Sequence, residues 1–121
     1  MANSGNTGIT RLRKAAVFSW QGFRAAYHFE EAFRQEVWLA IVLVPTAFFV
    51  ADTALERIVL IVSVLLLMLT EILNSAIEAV VDRFGGEQHE LSGRAKDMGS
   101  AAVFLAMVIV AVSWGLILFS A

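Results

Sequence analysis

The chain contains no cysteine and only one proline among its 121 residues. Without cysteine, disulfide bonds and thiolate metal sites are excluded. Charged residues are also scarce, at 17%, whereas 59% of the residues are hydrophobic and the mean hydropathy is +0.74. Because soluble domains contain about 45–50% apolar residues, this composition indicates a single integral-membrane domain over residues 1–121.

Familiar nucleotide-binding motifs are missing as well. The sequence has no glycine-rich loop ending in Gly-Lys-Ser or Gly-Lys-Thr and no protein-kinase signature. If the protein binds a nucleotide, its phosphate site is therefore of another kind. With only His28 and His89 available, a zinc site is not expected.

The alternation of apolar and polar residues predicts an all-α membrane protein. Residues 10–36 mix basic and aromatic side chains, which is typical of an amphipathic helix on the membrane surface, although a soluble helix packed on the rest of the protein is an alternative. Three apolar segments, 37–51, 55–82 and 99–121, are the predicted membrane helices. The polar residues 1–8 are expected to form a mobile tail.

The distribution of positive charge predicts the orientation. Five Lys or Arg residues precede the first apolar segment and three lie in the second loop, but only Arg57 lies near the first loop. Cytoplasmic loops of membrane proteins carry an excess of Lys and Arg. We therefore expect the N-terminal helix and the second loop to be cytoplasmic and the C-terminus to lie outside.

A polar stripe on the third segment is the most unusual feature. At about 100° per residue, Glu71, Asn74, Glu78 and Asp82 fall within roughly an 80° arc. A carboxylate in hydrocarbon costs about 2.5 kcal/mol or more, and intramembrane charges commonly mark a functional site. A span of about 20 residues from Leu55 ends at Asn74. Glu71 is therefore expected near the cytoplasmic edge of the hydrocarbon, and Glu78 about 10 Å further along the axis.

The second loop is rich in groups that bind phosphate or magnesium. Lys96 could neutralise phosphate charge, and Asp97, Glu78 and Glu30 are oxygen donors of the type that Mg²⁺ prefers. Two other interpretations stay open on these residues alone. The polar stripe could hold helices together through a buried network, and the loop could be a solvated segment of mixed charge.

Three stretches resemble the signatures of the prokaryotic diacylglycerol kinases. They are residues 71–82, 89–102 and 31–36, and the likeness extends over nearly the whole chain. The resemblance implies a homotrimer of three-span subunits in the bacterial inner membrane, with active sites shared between subunits. It also implies that the protein phosphorylates diacylglycerol to phosphatidic acid with ATP and Mg²⁺.

The same resemblance implies roles for individual residues. Glu71 would be the catalytic base for the lipid hydroxyl, and Glu30 and Glu78 would hold the metal ion on ATP. Asn74, Lys96 and Asp97 would complete the catalytic set. The implied ATP contacts are Arg11, Phe18, Glu30, Glu78, Glu87, Gln88, His89, Lys96 and Asp97. The implied lipid contacts are Arg11, Ala15, Ser19, Trp20, Arg24, Ala32, Glu36, Glu71 and Ser100.

Two positions depart from the family pattern. Phe29 stands where the family often has Asn, and Phe18 stands where some members carry Tyr, so a hydroxyl contact to ATP is lost. A related branch of the family phosphorylates undecaprenol instead. The form of residues 94–100 and the fuller N-terminal helix resemble the diacylglycerol branch more closely.

Two functions of other classes are less well supported. A small ion or proton transport protein needs polar residues across its span, but residues 58–70 contain only Ser63 and Thr70. A structural interaction protein would use the stripe to join helices and would not require Lys96 and Asp97. No nucleic-acid partner is expected.

Overall fold

The described part of the chain, residues 7–84 and 89–120 of a computed structural model, folds into four α-helices. In chain order they are α1 (Gly8–Phe29), α2 (Glu31–Val50), α3 (Ala54–Asp82) and α4 (Glu90–Phe119). The helices α2, α3 and α4 are each long and apolar enough to cross a membrane. The predicted all-α class with three membrane helices is therefore confirmed.

The first helix ends earlier than the sequence pattern predicts. Glu30 has an extended backbone, with φ −114° and ψ 107°, and it separates α1 from α2. The Arg34 guanidinium donates hydrogen bonds to the carbonyl oxygens of Tyr27 and His28, at 2.8 and 2.9 Å. Because the last carbonyls of a helix lack partners within it, these bonds stabilise the break. Residues 31–36, expected in the surface helix, form the first turns of α2 instead.

The second loop is shorter than expected because α4 begins at Glu90. The His89 side chain caps the helix by accepting a hydrogen bond from the Leu91 N–H group at 3.0 Å. Lys96 and Asp97 therefore lie on helical turns, whereas the sequence pattern placed them in a loop before residue 99. Residues 85–88, between α3 and α4, lie outside the described residues.

One face of α3 carries the buried core of the bundle. Leu60 and Val64 of this face pack with Ala47 of α2 and Trp114 of α4. The Trp114 indole is only 8% exposed and donates a hydrogen bond from Nε1 to the Leu60 carbonyl oxygen at 3.3 Å. This residue joins α4 to α3.

The two hydroxyl groups inside the apolar part of α3 are used within that helix. Ser63 donates to the Leu60 carbonyl oxygen and Thr70 donates to the Leu66 carbonyl oxygen, at 2.8 and 2.7 Å. Neither hydroxyl donates its hydrogen bond to a neighbouring helix. This arrangement gives no support to a polar pathway along α3.

Candidate active site at the α3–α4 end of the bundle

The polar stripe continues the buried face of α3. Glu71 is 7% exposed and follows Leu67 by four residues, so the two side chains lie on the same side of the helix. Further along the helix, Asn74 and Glu78 are half-buried and Asp82 is exposed. Burial thus falls from the Glu71 end of the stripe to its Asp82 end. The deepest carboxyl group of the stripe is the one predicted to act on the lipid.

A second buried carboxyl group meets Glu71 from the neighbouring helix. Glu36 of α2 is 8% exposed, and its side chain lies next to that of Glu71. The Glu36 Oε1 atom receives no hydrogen bond from any N–H or hydroxyl group of the described residues. The structure therefore brings together two acids that the sequence had assigned to separate helical regions.

Asn74 lies against the backbone of α4. Gly99 is buried, and a Cβ atom at this position would collide with the Asn74 Oδ1 atom and come within 3.2 Å of its Cγ atom. The Oδ1 atom itself is buried and has no hydrogen-bond partner among the described residues. Only a glycine allows α4 to approach this side chain so closely.

Lys96 reaches the solvent-exposed end of the stripe. Its Nζ atom forms an ion pair with Asp82 Oδ1 at 2.8 Å, and both side chains remain partly exposed. The negative charge of Glu78 also acts on Lys96. The cation predicted to bind phosphate therefore lies beside two carboxylates of α3. Asp82 is exposed to solvent but still forms an ion pair with Lys96.

An apolar groove of ≈ 740 Å³ runs along α1 and opens beside α2 and α3. It contains the predicted lipid contacts Trp20 and Arg24. It also contains Met68 of α3 and two residues of α2, Phe33 and Val37, which lie three residues before Glu36 and one residue after it. The remaining lining residues, all from α1, are Gln21, Phe23, Ala25, Tyr27, His28 and Phe29.

The other predicted site residues are distributed over α1, α2 and α4. Glu30, at the junction of α1 and α2, is half-buried, as is Ala15 on α1. The exposed ones are Arg11, Phe18, Ser19, Ala32, His89, Asp97 and Ser100. Glu87 and Gln88 lie outside the described residues.

The described residues contain no group of three or more His, Asp or Glu side chains arranged to hold a metal ion by themselves. Mg²⁺ bound with a nucleotide commonly uses only one or two protein carboxylates, together with phosphate oxygens and water. The donor atoms of Glu30 and Glu78 are of the right kind for this mode of binding.

Comparison with known proteins decides the family. Residues 17–118 match the model of the family described as prokaryotic diacylglycerol kinase. The chain belongs to the prokaryotic diacylglycerol kinase family. The chain is 55% identical to the diacylglycerol kinase of Escherichia coli K12 over 120 residues, which cover 99% of this chain and 98% of the relative.

Two further diacylglycerol kinases are similar over almost the same length. The Haemophilus influenzae protein is 55% identical over 113 residues, covering 93% of this chain and 96% of the relative. The Pseudomonas aeruginosa protein is 49% identical over 114 residues, covering 94% and 93% respectively. The family resemblance drawn from residues 31–36, 71–82 and 89–102 is confirmed.

Sequence reasoning missed the pairing of Glu36 with Glu71 and the close contact between Gly99 and Asn74. A signal for the first was present, because Phe33 and Glu36 are three residues apart and share one face of α2. The predicted helix boundary at Glu36 hid this pattern. The second carried no signal, since a glycine in an apolar helix does not reveal its neighbour.

Proposed function

We propose that the protein transfers the γ-phosphoryl group of ATP to the free hydroxyl of diacylglycerol and so forms phosphatidic acid. Membership of the family supports this activity, and the chain is similar to diacylglycerol kinases over nearly its whole length. The observation that carries the mechanism is the burial of the Glu71 carboxyl group on the face of α3 that also carries the core residues Leu60 and Val64.

In the proposed reaction Glu71 accepts the proton of the lipid hydroxyl. The hydroxyl oxygen then attacks the γ-phosphorus in line with the leaving ADP. Phosphoryl transfer depends mainly on the alignment of the reactants and on neutralisation of phosphate charge. A rigid, buried carboxyl group on a long helix meets the first requirement because its packing restricts its rotamers.

The phosphate groups of ATP are expected near Lys96. This cation lies next to Asp82 and Glu78, at the more exposed end of the stripe. Glu30 and Glu78 would hold a Mg²⁺ ion carried by the nucleotide, and such an ion neutralises charge on the transferring phosphoryl group. Asn74 and Asp97 would complete the catalytic set, and Arg11 would contact both substrates.

The lipid is expected to enter from the apolar groove of α1. A groove lined by aromatic side chains suits acyl chains, and Arg24 adds one cation to its lining. Phe33 and Val37 flank Glu36, which in turn contacts Glu71. This continuity from the groove to the buried carboxyl groups supports a lipid whose hydroxyl end reaches Glu71.

We further propose that three copies of the chain form a trimer and that each active site is completed between subunits. Lys96 and Asp82 of the described chain are partly exposed, and so are most of the predicted ATP contacts. A site this exposed needs residues of a neighbouring subunit to exclude water from the reaction. The excess of Lys and Arg before α2, together with Arg83 after α3 and Arg94 and Lys96 in the first turns of α4, supports a cytoplasmic active site in the bacterial inner membrane.

The test is a phosphate-transfer assay on the purified protein in mixed micelles with Mg-ATP. Transfer to diacylglycerol is expected, and transfer to undecaprenol is expected to be much slower because the relatives compared are diacylglycerol kinases. No transfer to either lipid would contradict the proposal, whereas preferred transfer to undecaprenol would assign the chain to the other branch.

Glu71→Gln tests the role of the buried carboxyl group. The substitution preserves size but removes the proton acceptor, so turnover is expected to fall to background while the thermal unfolding temperature stays near wild type. Near-normal turnover would remove Glu71 as the base. Mixing inactive Glu30→Gln and Glu71→Gln subunits tests the shared site, and activity that never returns on coassembly would place each site within one chain.

A further inference from the structure

We propose that Gly99 is a positioning residue, which fixes the side-chain amide of Asn74 so that the amide donates a hydrogen bond to the transferring phosphoryl group. This inference rests on the proposed function, in which Asn74 belongs to the catalytic set but has no stated role. It gives Asn74 the role of a donor, and it adds to the site a residue of α4 that has no side chain of its own.

The packing of α4 on α3 at Gly99 carries the inference. A Cβ atom at this position would collide with Asn74 Oδ1, and it would come within 3.2 Å of Cγ and 3.9 Å of Cβ of the same side chain. Gly99 itself is buried. The backbone of α4 therefore lies directly against the amide group of a residue in the polar stripe.

This packing decides which end of the amide faces α4. The Oδ1 atom lies against Gly99, is buried and receives no hydrogen bond from an N–H or hydroxyl group of the described residues. A carbonyl oxygen can accept weak hydrogen bonds from Cα–H groups of a neighbouring helix. An NH₂ group in its place would press its hydrogens against those of the Gly99 Cα atom. The oxygen is therefore held at Gly99, and Nδ2 is directed away from α4.

The NH₂ group of Asn74 is free to bind a substrate. In the part of the chain that the structure describes, it donates to no other group. The residue as a whole is half-buried although its Oδ1 atom is buried, so solvent reaches it from the side opposite Gly99. A side-chain amide nitrogen carries two N–H donors. The open side of Asn74 therefore presents donors only.

The position of these donors along α3 fits the transferring phosphoryl group. Asn74 follows Glu71 by about 4.5 Å along the helix axis and precedes Glu78 by about 6 Å, on the same face. In the proposed reaction Glu71 holds the lipid hydroxyl, and Glu78 holds the metal ion on ATP. The γ-phosphoryl group must then lie between the two carboxylates, where Asn74 is.

A neutral donor at this place lowers the barrier without a proton transfer of its own. Negative charge spreads over the equatorial oxygens of a transferring phosphoryl group, and the carboxylates of Glu71 and Glu78 repel that charge. A fixed N–H donor aimed at the developing charge stabilises the transition state, and loss of one such donor lowers kcat about 10²–10³-fold in other enzymes. Gly99 contributes by keeping the donor in this direction.

A double-variant cycle tests whether Gly99 acts through Asn74. Asn74→Ala should lower kcat about 10²-fold or more with little change in the KM for ATP. Gly99→Ala should lower kcat at least about tenfold, because the added methyl group displaces the amide. The combined variant should be no slower than Asn74→Ala alone, and its unfolding temperature should rise above that of Gly99→Ala, because the shortened side chain leaves room for the methyl group.

Asn74→Asp tests whether the amide works as a donor. The substitution keeps the size of the side chain and an oxygen that can face Gly99, but it removes both N–H donors. Its kcat should fall as far as that of Asn74→Ala. Gly115→Ala is the control for an added methyl group on α4, since a Cβ atom there meets nothing within 4 Å. This control should retain the wild-type kcat.

Nuclear magnetic resonance of the uniformly ¹⁵N-labelled protein in micelles adds a readout that a purely structural role would not change. The side-chain NH₂ signals of Asn74 are identified by their loss in Asn74→Asp. Addition of Mg²⁺ with the β,γ-methylene analogue of ATP should shift these signals in the wild type. If Gly99→Ala does not fold, recovery of folding in the double variant and this shift still decide the question.

Three results would overturn the inference while leaving the kinase activity in place. They are a double variant slowed by the product of the two single effects, a near-normal kcat in Asn74→Asp, and Asn74 NH₂ signals that do not respond to the nucleotide analogue. The first would make Gly99 a packing residue independent of Asn74. Failure of the proposed function is distinguishable, since the wild type would then transfer no phosphate to diacylglycerol.

Discussion

Gly99 of α4 lies directly against the side chain of Asn74 on α3, with no room for a Cβ atom between them. This contact brings the backbone of one predicted membrane helix onto a residue of the polar stripe on another. Small residues allow close approach of membrane helices. Here the close approach also restricts the movement of an amide that is predicted to take part in catalysis.

Gly99→Ala is therefore expected to lower both stability and activity. The added methyl group must displace Asn74 or separate α3 from α4, and overpacking of this kind costs about 1–3 kcal/mol. Gly115→Ala is the matched control on the same helix, since a Cβ atom there meets nothing within 4 Å. Thermal unfolding in detergent and phosphate-transfer rates measure the two effects, and a Gly99→Ala protein equal to the control would contradict the packing argument.

Loss of the Lys96 charge should affect nucleotide binding more than folding. Lys96 and Asp82 are both partly exposed, and exposed ion pairs contribute little to stability. We expect Lys96→Met to raise the KM for ATP by about tenfold or more, because it removes a charged contact to phosphate. Asp82→Asn should leave the unfolding temperature close to wild type.

The control for this pair is Arg94→Gln. Arg94 forms its own exposed ion pair with Glu90 one turn into α4, at 3.4 Å. If Arg94→Gln raised the KM for ATP as much as Lys96→Met, the effect would come from the general positive charge of the helix and not from Lys96.

Trp114 is expected to stabilise the end of the bundle far from the polar stripe. Trp114→Phe removes the hydrogen bond to the Leu60 carbonyl oxygen, and such bonds in membrane proteins average about 0.6 kcal/mol. Trp114→Ala also leaves a cavity and should cost about 3–5 kcal/mol. Reversible unfolding in mixed micelles measures both values.

Leu116→Ala provides the comparison for Trp114, because Leu116 is on the same helix but is 68% exposed. Its substitution should change the free energy of unfolding by less than about 0.5 kcal/mol. Equal losses for Trp114→Ala and Leu116→Ala would indicate that the Trp114 contact with α3 does not form in the membrane.

The junction between α1 and α2 should depend on the guanidinium group of Arg34. Its Nη1 atom donates to two carbonyl oxygens at the end of α1, those of Tyr27 and His28. A lysine cannot reproduce this geometry, so Arg34→Lys should alter the junction that holds Glu30 and raise the KM for Mg-ATP. Arg13→Lys, on the exposed side of α1, should leave the KM unchanged. An unchanged KM in Arg34→Lys would separate the junction from the nucleotide site.

The apolar groove of α1 predicts a selective effect on the lipid. Trp20→Ala removes the largest side chain of its lining and should raise the KM for diacylglycerol several-fold without changing the KM for ATP. Leu12→Ala, an exposed position on α1 outside the groove, is the control. A parallel rise of both KM values in Trp20→Ala would indicate general damage to α1.

Much of the architecture could be predicted from local patterns. Three apolar segments indicate three membrane helices because each needs about 20 apolar residues to cross a bilayer. The α3 boundaries, predicted at 55–82, agree closely with Ala54–Asp82. The stripe from Glu71 to Asp82 was also visible, since helical periodicity alone puts residues three and four apart on one face.

The helix ends were predicted less well. The break at Glu30 depends on hydrogen bonds from Arg34 to carbonyls six and seven residues earlier, and no glycine or proline marks it. The early start of α4 depends on the His89 cap. Both are side-chain contacts with the backbone, and hydrophobic patterning does not detect them.

Sequence alone was enough to establish a small all-α membrane protein with a polar stripe, and to identify the motifs of its family, because periodicity, span length and motif spacing are local properties of the chain. The tertiary structure was needed for the contacts between helices. The meeting of Glu36 with Glu71, the approach of Gly99 to Asn74 and the bond from Trp114 to Leu60 each join residues from different helices. Such pairs depend on how the helices pack, and packing geometry leaves no periodic signal in one sequence.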